Sequence, residues 1–451
     1  MIVMKFGGSS VESIEAIERV AGIVAAHAHR HPVVVVSAMG KTTNRLLAIA
    51  DEAVAGRRDA AIAQLRELEA FHLLEGGSLD GAVDAHFAEL TELVKGLAIL
   101  GELTPRSIDA ISAFGERLSS LIVVHAFQRL GIDAIHQDSR DYILTDERHT
   151  HAAPLYPETY ARLRSGLMPL AAKQVVVMGG FIGSTLRGIT STLGRGGSDF
   201  SAAIIGAGID AEEIQIWTDV DGMLTCDPRL LQGVHRIKQL SFSEAAELAY
   251  FGAKVLHPST VLPAVEKNIP VLILNSRRPH VDGTRIVAQP VPCANPVKAI
   301  ACKQNITSVH IRSTRMLMAH GFLRRIFEVF DQNQTPVDMV TTSEISVSLT
   351  IDNTQHLERI TEELRSFSDV AVEPDQALIC LVGDSVATTS GIAGRIFQSL
   401  NGTNIRMISQ GASLLNLSFV VAGKDLVSAV RALHQELFAS LDPNIFERAS
   451  Q

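Results

Sequence analysis

Short β-branched runs set between longer amphipathic stretches constrain this chain more than any other feature. Residues 2–5, 33–37, 132–135, 174–178, 214–218 and 271–274 are apolar at nearly every position and too short for helices. Such runs are the pattern of strands buried on both faces of a sheet. Between them, residues 11–29, 44–55, 107–130, 157–172, 198–206, 243–249 and 259–266 carry helical patterns, and the Ala/Leu/Glu-rich stretch 58–101 reads as helical throughout. Strand and helix in alternation predict an α/β domain, its mostly parallel sheet covered by helices on both sides.

That pattern stops near residue 276. Pro279, Gly283, Pro290, Pro292 and Pro296 punctuate residues 277–297, which read as a linker. Beyond it the chain repeats itself. Residues 306–311, 321–330, 337–341 and 345–351 read as strand, helix, strand, strand; residues 378–382, 391–400, 405–409 and 416–421 echo them at a period of about 70 residues. Each unit is too small to bury a good core alone, so a duplicated pair packed together, or against another subunit, is expected.

The chain is 451 residues long, enough for two or three domains. Its net charge of -9 gives no sign of a nucleic-acid or membrane partner, which a basic surplus usually announces. The opening residues carry no charged leader ahead of an apolar stretch, and Cys226, Cys293, Cys302 and Cys380 lie far apart with no C-x-x-C spacing. A cytoplasmic chain with reduced thiols is the expectation.

Several loops carry polar chemistry. Lys5-Phe-Gly-Gly8 followed by Ser9 and Ser10 runs from a strand into a turn and a helix, where backbone amides and Lys5 can meet phosphate oxygens. A tight turn with a solvated lysine is the plainer reading. Gly40-Lys41-Thr42 looks like a P-loop, but Val35 stands where that motif needs glycine, and Val35 lies inside a strand. What remains there is a polar loop whose Ser37, Thr43 or Asn44 can bind a substrate.

The strongest signal is Thr190-Ser-Thr-Leu-Gly-Arg-Gly-Gly-Ser-Asp199. Its glycines can wrap a polyanion while Arg195 clamps a carboxylate in bidentate fashion. Helix capping by Ser198 or Asp199 alone does not require glycines on both sides of an arginine. Thr218, Asp219 and Asp221 leave another strand at its carboxyl end, where open α/β sheets bind ligands. Gly115-Glu116-Arg117 and Gly252-Ala-Lys-Val-Leu-His-Pro258 are weaker, reading equally as a helical ion pair and an exposed lysine.

Taken in order, Lys5-Phe-Gly-Gly8, Leu193-Gly-Arg-Gly-Gly-Ser-Asp199, Trp217-Thr-Asp-Val-Asp-Gly222, Asp227-Pro-Arg229 and Phe251-Gly-Ala-Lys-Val-Leu-His-Pro258 make the chain resemble the aspartate kinases over essentially its whole length. The resemblance implies the amino-acid kinase fold, a three-layer αβα sandwich, over residues 1–276, and a linker over 277–297. Two ACT-type α+β regulatory domains follow, the first over 304–372 and the second over 298–303 with 373–447. It implies a monofunctional enzyme that transfers phosphate from ATP, with Mg2+ held mainly through the nucleotide and no metal ligands of its own, to the side-chain carboxylate of L-aspartate. The product, 4-phospho-L-aspartate, leads toward lysine, threonine and methionine.

By the same resemblance, Lys5 contacts phosphate and Asp199 organises the site around it. Thr43, Glu116, Arg195, Gly196, Gly197 and Ser198 bind aspartate, with Arg195 on the α-carboxylate and Glu116 facing the ammonium group. Lys5, Gly7, Gly8, Ser9, Thr218, Asp219, Leu224, Arg229, Lys254 and Val255 hold ATP. Leu224 replaces a common tyrosine, and Lys41 is an extra candidate phosphate contact. Met316, Gly321, Phe322, Leu323, Val337, Asp338, Ser343 and Glu344 match an inhibitory lysine pocket, although Ala319 and Pro336 replace serines found in some members. A homodimer through the ACT domains, with a tetramer as the alternative, is also implied. Two other readings stay open: a different amino-acid or nucleotide kinase on this fold, and a non-catalytic amino-acid sensor.

Overall fold

The structure is a computed structural model that describes residues 1–76, 81, 83–252, 258–289, 292–313, 320–384 and 386–448. The chain divides into two compact units, one made of Met1–Met223, Gln239–Phe242 and Val255–Gln289, the other of Leu224–Lys238, Ser243–Lys254 and Pro290–Gln451.

In the first unit an eight-stranded sheet runs in the order Gln239–Ser241, Thr284–Val287, Val271–Asn275, Glu213–Thr218, Ile2–Phe6, Pro32–Val36, Val175–Gly179, Ala134–Gln137. Every pairing is parallel except that of Val271–Asn275 with Thr284–Val287. The strands Ile2–Phe6, Pro32–Val36 and Val175–Gly179 are buried at every position, as their unbroken apolar runs predict for a sheet covered on both faces. Thr284–Val287 lies in the stretch read as a linker. Its short hydrophobic alternation, with Thr284 and Ile286 buried and Arg285 exposed, suits a hairpin partner, and the prolines on either side hid it.

Helix starts follow the capping chemistry. Ser13 accepts from the Ala16 amide ahead of Ile14–Ala26, and Thr104 accepts from the Ser107 amide ahead of Pro105–Ser112, with proline in the first turn. The run expected as one helix over 107–130 is two, Pro105–Ser112 and Phe114–Arg129, joined at Ala113 in helical conformation. Taken together as Pro105–Arg129 it is long and apolar enough to cross a bilayer, but 78% of its most apolar stretch is buried in the molecule, as in a core helix. Similarly, 157–172 contains a wider turn at Leu163–Leu167 between Tyr156–Arg162 and Met168–Ala171.

The second unit holds a six-stranded antiparallel sheet in the order Met339–Thr342, Ser346–Ile351, Ala299–Arg312, Asp369–Val382, Asn416–Ala422, Ile405–Gln410. The repeat is visible in its backbone: Asn305 and Asp375, both with positive φ, break the two long central strands at equivalent points, and Gly321 and Gly391 begin the helices Phe322–Gln332 and Ile392–Ser399. Ala299–Lys303 pairs with Leu378–Val382, whereas Thr307–Arg312 pairs with both Ser346–Ile351 and the first half of Asp369–Val382. Two helices absent from the sequence reading, Leu357–Arg365 and Leu426–Leu437, complete each half. All four cysteines are free thiols, and burial pushes Cys226 up to about 12.

Candidate active site

At the carboxyl end of the central strands, a cleft of about 240 Å³ is lined by Lys5, Ser37, Thr43, Glu116, Phe181, Gly194, Gly196, Gly197, Ser198 and Asp199. Lys5 sits at the end of Ile2–Phe6, 9% exposed, with Nζ 2.7 Å from Asp199 Oδ1. Asp199 stands in the first turn of the helix Gly197–Gly208. Gly194 and Gly196, with φ of 77° and 71°, shape the loop that delivers this helix start into the cleft, a backbone that side chains with a Cβ rarely adopt. The Ser198 and Asp199 amides have no partner among the described residues, so the helix start offers free N–H groups to an anion.

Glu116 closes the cleft from the first turn of Phe114–Arg129 and is 4% exposed. Its Oε1 accepts from the Ala38 amide at 3.1 Å, while Oε2 is buried with no partner among the described residues. Burial pushes this carboxyl up to about 8, against the opposing pull of the Ala38 amide and the Lys5 charge. A buried carboxylate oxygen without a donor is costly unless a cationic ligand completes it.

Beside the cleft, the Gly7–Ser10 turn is held from two sides. Gly7 N donates to Trp217 O at 3.2 Å and Gly40 N to Gly8 O at 3.1 Å. A Cβ on Gly8 would come within 2.8 Å of Ala38 O, so only glycine fits. Ser10 and Ser276 share a 2.7 Å hydroxyl contact, and Ser276 N donates to Thr218 O. The turn, Thr218 and Asp219 therefore share one edge of the sheet. Asp221, held by Asn275 Nδ2 at 2.6 Å and Arg278 Nη1 at 2.7 Å, extends that edge.

Most of the sequence-derived set thus converges: Lys5, Thr43, Glu116, Gly196, Gly197, Ser198 and Asp199 face one cleft. Arg195 does not line it, since its side chain is exposed while its two glycine neighbours and Leu193 are buried or half-buried. Lys41 is exposed ahead of Thr42–Val54. Leu224 and Arg229 fall in the second compact unit, where the Arg229 guanidinium grips Asp227 at 2.7 Å. Lys254, Val255 and Met316 lie outside the described residues. Phe181, a cleft residue with φ of 66°, went unread because a lone aromatic after Gly-Gly has no distinguishing sequence signal.

In the second unit, Gly321 precedes the helix start, Phe322 packs edge-on to Phe367, and Leu323 is 41% exposed. Val337 packs against the apolar cluster of that half. Asp338 Oδ1 meets Lys303 Nζ at 2.5 Å, its Oδ2 is buried without a partner among the described residues, and burial raises its carboxyl against the pull of Lys303. Ser343 Oγ accepts from the Ser346 amide, and Glu344 is exposed.

A strand-end cleft with an anion-binding helix start and a lysine–aspartate pair suits phosphoryl transfer, and the comparisons place the chain among the amino-acid kinases. The amino acid kinase family model matches residues 1–275 and an ACT domain model matches residues 379–437. The chain is 40% identical to aspartokinase 1, chloroplastic, of Arabidopsis thaliana, over 98% of this chain and 80% of that one. It is 36% identical to the lysine-sensitive aspartokinase 3 of Escherichia coli, over 97% and 99%. Its structure matches E. coli aspartokinase III in complex with lysine and aspartate with a TM-score of 0.85, at 34% identity over 97% and 99% of the two chains. The complex of that enzyme with aspartate and ADP matches at 0.81. The chain belongs to the aspartokinase family.

Proposed function

We propose that this chain transfers the γ-phosphoryl group of MgATP to the side-chain carboxylate of L-aspartate, giving ADP and 4-phospho-L-aspartate. The observation that carries this reading is the pairing, in one cleft, of Lys5–Asp199 with a buried Glu116 oxygen that has no partner among the described residues. The first suits a transferring phosphoryl group, the second the α-ammonium of an amino acid.

The nucleophile is already ionised, so no general base is needed. A carboxylate oxygen attacks the γ-phosphorus, the bond to the bridging β–γ oxygen breaks, and ADP leaves with the electron pair. Catalysis then reduces to positioning and charge neutralisation. Lys5 meets the transferring phosphoryl oxygens, and Asp199 fixes the lysine. Glu116 holds the ammonium group and Thr43 borders the substrate. Arg195 reaches the α-carboxylate, swinging on Gly194 and Gly196, beside the Gly196–Ser198 backbone. Gly7, Gly8, Ser9, Thr218, Asp219, Leu224, Arg229, Lys254 and Val255 take the nucleotide. Among the described residues no three His, Cys, Asp or Glu side chains gather closely enough to hold a metal. Magnesium is proposed to arrive as part of MgATP, coordinated by phosphate and water.

Free lysine is the proposed inhibitor. Its carboxylate would sit on the helix start after Gly321, with Phe322, Leu323, Val337 and Ser343 around it and Asp338 and Glu344 taking its amino groups. The unpartnered Asp338 oxygen and the likeness to the lysine-sensitive relative support this. We assign 1–276, with the added strand Thr284–Val287, to the kinase domain, 304–372 to the first ACT unit, and 298–303 with 373–447 to the second. A cytoplasmic homodimer through the ACT units, or a tetramer of such dimers, completes the reading. ADP release from MgATP with L-aspartate, with and without lysine, tests it. Release dependent on aspartate and suppressed by lysine is expected; release indifferent to aspartate would overturn the kinase assignment.

A further inference from the structure

Asp109 is a carboxylate with no exposure at all, and nothing in the proposed reaction uses it. It lies on Pro105–Ser112, the helical piece that continues through Ala113 into the helix bearing Glu116. Seven positions separate the two carboxylates, which places them on the same side of that rod.

The two oxygens of Asp109 collect donors from two other segments. Oδ1 accepts from Thr192 Oγ1 at 2.6 Å and from the Thr150 amide at 3.0 Å. Oδ2 meets His149 Nδ1 at 2.7 Å and the Thr150 amide at 3.2 Å. Thr192 ends the strand Thr190–Thr192, two residues before Gly194. Thr150 has φ of 70°, a strained value for a β-branched residue that needs surrounding contacts to hold it. This turn also packs on the glycine loop, for a Cβ on Gly194 would meet His151 Cδ2 at 3.0 Å and Thr150 O at 3.1 Å. Ala152 N closes the arrangement by donating to Thr192 O at 2.9 Å.

We infer that Asp109 is a positioning residue for aspartate recognition: it ties the root of the Gly194–Gly196 loop, and so Arg195, to the rod that carries Glu116. An amino-acid substrate presents its ammonium and α-carboxylate a fixed short distance apart. One rod that holds the ammonium acceptor directly, and the carboxylate clamp through Asp109, keeps the two groups at one spacing. A buried carboxylate with three different donors is rigid enough to do so, because losing any donor leaves a charge uncompensated. The inference rests on the aspartate kinase reading, with Arg195 as the α-carboxylate clamp.

The test is steady-state kinetics on the full chain and its Asp109→Asn, Thr192→Val and Thr192→Ser variants. Asp109→Asn is expected to raise KM for aspartate about tenfold with KM for MgATP within twofold of the natural value, the size of effect that losing a charged hydrogen bond gives. Thr192→Val should shift the same constant in the same direction by less, and Thr192→Ser, which keeps the hydroxyl, should restore it. If Asp109→Asn does not fold, the two Thr192 variants decide. Variants that lose only thermal stability, with KM for aspartate unmoved, would overturn the inference. Absence of aspartate-dependent turnover in the natural chain would instead sink the kinase reading.

Discussion

Lys5 Nζ and Asp199 Oδ1 lie 2.7 Å apart although they come from opposite ends of the catalytic half of the sequence, one closing the first strand and the other opening a helix nearly two hundred residues later. The pair makes the lysine a fixed charge at the mouth of the helix start. Replacing Lys5 by Met removes the charge aimed at the phosphoryl group. It should lower kcat by about a hundredfold or more, as the loss of one preorganised transition-state donor does. Asp199→Asn should lower kcat by less, because the lysine remains but is no longer held. Thermal melting of both variants, run beside the kinetics, separates lost chemistry from lost folding.

Glu116 makes aspartate binding depend on pH. Its carboxyl in the empty cleft is pushed up to about 8 by burial, so near neutral pH it carries a proton. Ammonium binding needs the carboxylate, so the proton must leave. KM for aspartate should therefore fall as pH rises from 6 towards 8 and level off above it, and Glu116→Gln should flatten that slope while raising KM. The stability effect has the opposite sense. A carboxyl whose folded value lies above its ordinary 4.5 binds protons more tightly folded than unfolded. Its contribution to stability therefore falls as pH rises through 4.5 to 8. Melting curves of Glu116→Gln and the natural chain should differ most above pH 8, with the variant the more stable.

Lys41 is exposed one residue beyond Gly40, whose amide is bonded to Gly8 O in the Gly7–Ser10 turn. A solvated cation at that point helps a nucleotide arrive more than it helps chemistry. Lys41→Ala is expected to raise KM for MgATP a few-fold with kcat unchanged, and unchanged constants would remove Lys41 from the site.

Asp338 carries the lysine prediction. Its Oδ1 is taken by Lys303 and its Oδ2 is buried without a partner among the described residues, which suits the proposed second ammonium. Asp338→Asn should raise the half-inhibiting lysine concentration by at least about tenfold while turnover without lysine stays the same. Inhibition curves of the two proteins decide it.

The parts of this molecule that were legible in the sequence are those where glycine, charge or period leaves a local mark. The buried valine runs mark the central strands to within a residue or two, and the glycine motifs carry Lys5 and Asp199, which meet in the structure beside Glu116 in one cleft. The 70-residue repeat was audible in the helix starts at Gly321 and Gly391. Asp109 left no such mark: an aspartate inside a helical pattern looks solvated, and its donors lie 40, 41 and 83 residues away. Thr284–Val287 was lost for the opposite reason, since prolines on both sides outweighed a four-residue alternation. The side chain of Arg195 illustrates a third limit. Its motif resembles a carboxylate clamp, yet its side chain is exposed and does not line the cleft.

The measurement that bears most directly on the central claim is ADP release from MgATP on adding L-aspartate, run beside the same assay with Glu116→Gln. The account predicts turnover that appears only with aspartate, yields a hydroxylamine-trappable acyl phosphate, and requires much more aspartate in the variant. ADP release that proceeds equally without aspartate, or a variant whose aspartate requirement is unchanged, would contradict it.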